Sequence, residues 1–60
     1  MKSFAKRAEA KKALRKMRGW PERRVICLYV PGNKKADLTG HIYCVEAEPG
    51  RFLQEDGGVG

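Results

Sequence analysis

Residues 23–47 have the sequence RRVICLYVPGNKKADLTGHIYCVEA, in which two apolar runs flank a polar segment. The runs at 23–30 and 41–47 are rich in β-branched and aromatic residues, a composition typical of β-strands. The ten residues between them are mostly turn formers, so the two strands are expected to pair as an antiparallel hairpin. Ten residues is a long hairpin connection, which indicates an ordered loop.

The pairing register follows if the hairpin is symmetric about its loop. Ile26 would then lie opposite Val45, and Leu28 opposite Tyr43, on an apolar face that receives a helix. The opposite face would carry a second apolar set, composed of Val25, Cys27, Tyr29, Ile42, Cys44 and Leu53. One helix cannot cover both faces, and a contiguous apolar patch rarely stays in water. The second face is therefore predicted to be an interface, in a homodimer or with a protein partner.

Upstream of the hairpin, residues 3–18 have the periodicity of an amphipathic helix. Ser3 can cap its N-terminus, and Gly19 followed by Pro21 would end it. Four residues at helical spacing form a narrow apolar stripe: Ala10, Ala13, Leu14 and Met17. Because most of this stripe is alanine, we expect the helix to approach the sheet closely while burying a modest area.

Downstream of the hairpin, Pro49 and Gly50 favour a tight turn, after which residues 51–54 would form a third strand. Residues 55–60, EDGGVG, have the composition of a frayed terminus, and we expect a flexible, disordered tail. The sequence therefore predicts a single α+β domain over residues 1–54. Its N-terminal helix would pack on a three-stranded antiparallel β-meander.

Positive charge is concentrated in the first part of the chain. Residues 1–24 contain ten of the thirteen Lys and Arg residues and two Glu, a net charge of +8, while the remainder carries −2. A solvated helix usually alternates acids and bases at i,i+4 spacing, but here only Glu9 is available within the helix. Like charges such as Lys12 and Lys16 repel each other. This asymmetry indicates a polyanionic partner.

We therefore predict a non-enzymatic protein that binds nucleic acid, either DNA or RNA, by contacting phosphates, an interaction that fixes position without reading sequence. The predicted contacts on the helix face are Lys11, Lys12, Arg15, Lys16 and Arg18. The predicted outer contacts are Arg7, Arg23, Arg24, Lys34 and Lys35. Two aromatic residues, Trp20 and Tyr29, are candidates for stacking on bases, although Trp20 also suits a plug at the end of the core.

The composition also limits other functional classes. Two cysteines are too few for a disulfide-rich secreted scaffold. Cys27, His41 and Cys44 make three potential metal ligands where a structural zinc site needs four, so we expect no metal and no cofactor. No apolar run is long enough to span a bilayer, and the start of the chain lacks the apolar core of a signal peptide. We expect a cytoplasmic protein with no membrane partner and no small-molecule substrate.

Two alternatives remain open. The chain could be a small regulator, of the phage or plasmid type, that inhibits another protein by binding its acidic or apolar surface. His41 could also act as a general base in RNA cleavage, assisted by Lys34 or Lys35, although a half-buried histidine at a strand end is an ordinary structural feature.

The order helix–strand–strand–strand resembles the first part of the double-stranded-RNA-binding fold, which HicA-like toxin nucleases also use. The stretch TGHIY at 39–43 is similar to their Gly-Ser-His stretch. This resemblance implies an RNase as a third functional class, and we carry over no catalytic residue on it.

Overall fold

The computed structural model describes residues 1–60 and contains one helix and three strands. In chain order these are α1 (Arg7–Arg15), β1 (Arg24–Tyr29), β2 (His41–Glu48) and β3 (Arg51–Phe52). The strands form one antiparallel sheet in the order β1-β2-β3, and α1 packs across β1 and β2. The predicted α+β class, with one helix on a three-stranded antiparallel sheet, is confirmed.

The N-terminal segment lies beside β2 as an extended strand-like piece. Phe4 and Tyr43 donate backbone hydrogen bonds to each other's carbonyl groups, both at 2.8 Å. The Lys2 N–H donates to the Leu53 carbonyl, also at 2.8 Å. Because β3 is only two residues long, it leaves part of this edge of β2 unpaired. Residues 2–4 fill that vacancy and continue the line of β3.

This pairing shortens the helix relative to the prediction. Ser3 lies in the paired segment, so it does not cap the helix, which begins at Arg7 after Lys6 without any side-chain cap. Pairing of residues 2–4 with the open edge of β2 keeps Ser3 outside the helix, so Ser3 cannot act as its N-cap. The helix also ends at Arg15 rather than Arg18, and the last turn closes with tighter i→i−3 bonds.

The hairpin is one residue out of the predicted register. Ile26 lies opposite Cys44, not Val45. The pairing continues past β1, where the Val30 N–H donates to the Gly40 carbonyl at 2.7 Å. The prediction was wrong because the loop does not start and end symmetrically about the two apolar runs. A shift of one residue in one strand moves that strand's side chains to the opposite face relative to its partner.

The register divides the predicted interface residues between the two faces. One face carries the members from β1: Val25, Cys27 and Tyr29. Ile42 and Cys44 lie on the other face and are buried, at 2% and 0% exposure. Leu53 is half-buried on the far side of β2, where its N–H donates to the Val45 carbonyl at 2.9 Å. The six residues expected together are therefore divided between the two faces of the sheet.

Strand β2 is the centre of the core. Four consecutive residues of this strand, Cys44 to Ala47, are buried, so β2 is covered on both faces. The buried set is small and includes Ala10 of the helix, which is fully buried. Glu46 belongs to it because its carboxylate accepts hydrogen bonds from Arg24 Nε at 2.7 Å and from the Gly50 N–H at 3.2 Å. The Arg24 hydrogen bond, with help from Gly50, lowers the pKa of Glu46.

The C-terminal residues are ordered, which corrects the predicted disordered tail. Phe52 and Gly60 donate backbone hydrogen bonds to each other's carbonyl groups, at 2.9 and 3.1 Å, and Leu53 bridges Val59. Gly57 supplies the positive φ, 90°, that the intervening turn requires. The glycines that suggested fraying therefore make a turn, and the free edge of β3 supplies the hydrogen-bond partners.

The contact between helix and sheet has little room at Ala10. We expect Ala10→Leu to lower the free energy of unfolding by about 1–3 kcal/mol, because the added carbons must displace packed neighbours. Ala8→Leu is the matched control, since Ala8 is exposed on the same helix and should change stability by less than about 0.5 kcal/mol. Urea denaturation monitored by circular dichroism measures both. Equal stability of the two variants would contradict the packing described here.

Candidate nucleic-acid interface

The basic residues predicted on the helix face all point to solvent. Lys11, Lys12 and Arg15 lie on α1, and Lys16 and Arg18 lie in the turns that follow it. All five are exposed, while Ala10 is buried and its stripe neighbours are half-buried. The amphipathic division of the helix predicted from the sequence is therefore present, with its charged side exposed to solvent.

None of these charges is neutralised within the chain. The protein contains three ion pairs: Arg24–Glu46 at 2.7 Å, Lys35–Glu55 at 3.0 Å and Arg51–Glu48 at 3.0 Å. All three use acids from the C-terminal half. Glu9 and Glu22, the two acids near the helix, are exposed and form no ion pair.

The predicted outer contacts differ in how free they are. Arg7 is exposed, with its guanidinium carbon 5.0 Å from the centre of the Tyr43 ring, and Lys34 is exposed with no acidic partner. Arg24 and Lys35 are exposed, but each is already paired with a glutamate. A phosphate that contacts either of them must compete with that carboxylate.

Arg23 is the predicted outer contact that is most engaged within the chain. Its Nε donates to the Leu14 carbonyl at 2.9 Å, and its Nη1 donates to the Trp20 carbonyl at 3.1 Å. Carbonyl groups in the last turn of a helix lack intrahelical donors, and a cation there is favoured by the helix dipole. Arg23 is therefore a structural cap that joins the end of the helix to the start of β1.

Sequence reasoning missed two further basic residues on the N-terminal segment. Lys6 is exposed just before the helix, and Lys2 holds its ammonium nitrogen 5.3 Å from the centre of the Phe4 ring. The sequence signal for this segment was that Lys2 and Phe4 are two residues apart and so would lie on one face of a strand, with Ser3 on the other. It was hidden by the assignment of this segment to the helix.

The loop that carries Lys34 and Lys35 is organised by Asp37. One carboxylate oxygen of Asp37 accepts hydrogen bonds from the Thr39 N–H at 2.9 Å, the Thr39 hydroxyl at 2.6 Å and the His41 N–H at 3.0 Å. These bonds, with the Thr39 hydroxyl contributing most, lower the pKa of Asp37. The long connection between β1 and β2 is thus tied to the start of β2.

His41 is oriented by the same network. Its Nδ1 lies 2.7 Å from the Thr39 hydroxyl oxygen. That hydroxyl has one proton, which it donates to Asp37, so Nδ1 of His41 must carry the proton of the second hydrogen bond. No other side chain hydrogen-bonds to the ring, and the surface has no pocket that would hold a substrate beside it.

Comparison with other proteins adds no family. No protein-family model, curated protein or solved structure matches this chain. No three side chains from His, Cys, Asp and Glu lie close enough together to share a metal ion. The single helix is too short and too polar to cross a bilayer.

The Asp37 network should respond to acid. Because hydrogen bonding lowers the folded-state pKa of Asp37, its anchoring of the loop is complete above the ordinary aspartate pKa and is lost as pH falls through the lowered value. We expect the Asp37 carboxyl carbon to titrate below the ordinary value in NMR spectra, with the Thr39 and His41 amide signals moving in parallel. Thr39→Val should raise the pKa of Asp37 towards that ordinary value. An unshifted or raised pKa in the unmodified protein would contradict the network.

Proposed function

We propose that the protein binds nucleic acid without catalysis, through the exposed basic face of α1 and the turns after it. The observation that carries this proposal is that the ion-paired cations and the unpaired cations of the helix face lie in different parts of the fold. The chain uses acids from its C-terminal half to neutralise Arg24, Lys35 and Arg51, and it leaves the helix cations without acidic partners. Unpaired like charges repel each other, and a polyanion relieves that repulsion.

The dimensions of the helix suit a nucleic acid. An α-helix with its side chains is about 10–12 Å across, and the roughly 12 Å wide major groove of DNA admits an element of that diameter. Five phosphate contacts on duplex DNA would release counterions and give a log–log salt slope of about −4 to −5. These contacts position the protein and read no bases. A cytoplasmic location, where nucleic acid is accessible, belongs to the same proposal.

Self-association is a separate part of the proposal. Ile42 and Cys44 are buried inside the chain, so the predicted interface keeps only the exposed residues of β1. Dimerisation through Cys27 and Tyr29 stays a prediction, which light scattering of the purified protein tests, and such a dimer would exclude any other contact at the Tyr29 ring.

Binding to another protein is the second candidate. Leu38 is fully exposed at 107% on the connecting loop, and it is the apolar side chain there that a protein partner could contact. A regulator that binds another protein would lose affinity on Leu38→Ala while tolerating charge reversal on the helix. Nucleic-acid binding should show the opposite sensitivity.

Charge reversal on the helix tests the main proposal. We expect Lys12→Glu with Arg15→Glu to weaken binding to a fluorescein-labelled 20-base-pair duplex at least tenfold at about 50 mM salt, and to reduce the salt slope by about 2. The physical reason is the loss of two phosphate contacts and the gain of two repulsive charges. Fluorescence anisotropy across a salt series measures both quantities.

The matched control changes the net charge equally at another place. Lys34→Glu with Lys35→Glu reverses two charges on the connecting loop, where Lys35 is already neutralised by Glu55. This variant should lose less affinity than the helix variant. Equal losses would show that only net charge matters, and unchanged binding by a folded helix variant would refute the proposal.

A further inference from the structure

The strand register places several rings on one face of the sheet. Residues directly opposite each other in an antiparallel pair point to the same face. Tyr29 lies opposite His41, and Tyr43 lies between Cys27 on one side and Phe4 on the other. This face therefore carries two tyrosines, a phenylalanine and an imidazole, and we call it the aromatic face.

Tyr29 is the exposed ring of the aromatic face. It is 67% exposed, and its ring centre lies 5.2 Å from that of His41 at an interplanar angle of 53°. Its Cε1 would lie 3.1 Å from a Cβ at Gly40, so the ring rests against the backbone at a position that only glycine leaves open. A large ring held in place but left in water has a surface available to a partner.

Two cationic side chains make cation–π contacts with the other two aromatic rings of this face. The guanidinium carbon of Arg7 lies 5.0 Å from the centre of the Tyr43 ring, and Lys2 Nζ lies 5.3 Å from the centre of the Phe4 ring. Neither cation forms an ion pair within the chain. Because these cations occupy their rings, Tyr29 beside His41 is the part of the face that is free to stack.

The charge of the aromatic face selects the class of partner. The positions of β1 and β2 that share it, alternating from Val25 to Tyr29 and from His41 to Ala47, include no Asp or Glu. An aromatic platform flanked by cations is the arrangement that binds single-stranded nucleic acid, in which bases stack on rings and phosphates meet Lys or Arg. The bases of a duplex are already stacked on each other and cannot use such a platform.

We propose that the aromatic face binds unpaired nucleotides, with a base stacked on Tyr29 beside His41 and the flanking phosphates contacted by Arg7 and Lys2. This proposal rests on the proposed function and deepens it, because it names single-stranded nucleic acid as a ligand class. Trp20, the other stacking candidate, is half-buried with the Arg51 guanidinium 5.2 Å from its ring centre, so it does not offer an equivalent platform.

The test compares two variants at one position. Tyr29→Leu removes the ring but keeps an apolar side chain, while Tyr29→Phe keeps the ring. The probes are fluorescein-labelled 12-nucleotide oligouridine, 12-nucleotide oligothymidine, an abasic 12-mer with the same phosphates, and a 20-base-pair duplex. Loss of one stacked base should weaken binding of Tyr29→Leu to the unpaired probes about tenfold. Tyr29→Phe should bind them like the unmodified protein, and duplex affinity should stay within twofold in both variants.

The remaining outcomes separate this proposal from the function on which it rests. The unmodified protein should bind the abasic 12-mer about as weakly as Tyr29→Leu binds oligouridine. Tyr29 ring protons should shift upfield in NMR spectra when oligouridine is added. If Tyr29→Leu binds every probe like the unmodified protein, the aromatic face is refuted while helix binding stands. If the unmodified protein binds no probe, both proposals fail.

As a third variant, Arg7→Gln should weaken binding to the unpaired probes and reduce the salt slope on them by about 0.7. Oligouridine and oligothymidine together show whether RNA or DNA is the better source of the unpaired bases. An unchanged slope in Arg7→Gln would remove Arg7 from the proposed site.

Discussion

Hydrogen bonding along both edges of β2 is the constraint on which the rest of the structure depends. One edge of β2 pairs with β1, and the other is shared by β3 and the extended N-terminal segment. Both faces of β2 are buried as well, so this strand supplies most of the small core. A chain of 60 residues can cover little more than one strand completely.

The distribution of charge follows from which polar groups the small fold uses internally. Glu46 is buried and is satisfied by Arg24 and the Gly50 N–H, and Arg23 is used to cap the end of the helix. Glu55 pairs with Lys35 of the loop, and Glu48 pairs with Arg51 of β3. The helix cations form no ion pair and are exposed. The exposed side of the helix is therefore basic.

The sequence predicted the elements better than their edges. Composition was sufficient to predict β1 and β2, because runs of β-branched and aromatic residues favour strands over other structures. The charged side of α1 was predicted from its helical periodicity. The register did not follow, since the exact ends of the loop depend on Asp37 bonding to Thr39 and His41. The predicted length of the helix and the predicted disorder of the tail were also wrong. Phe4 and Gly60 form backbone hydrogen bonds to strand edges that exist only in the folded sheet. The aromatic face could not be predicted from the sequence, because the register decides which side chains share a face.

The most direct test of this account is the affinity of the unmodified protein for a 20-base-pair duplex and a 12-nucleotide single strand across a salt series. The account predicts micromolar or tighter binding at about 50 mM salt, with a duplex slope of about −4 to −5 that reflects the unpaired helix cations. A folded protein that binds neither probe at that salt, or binds with no dependence on salt, would contradict it.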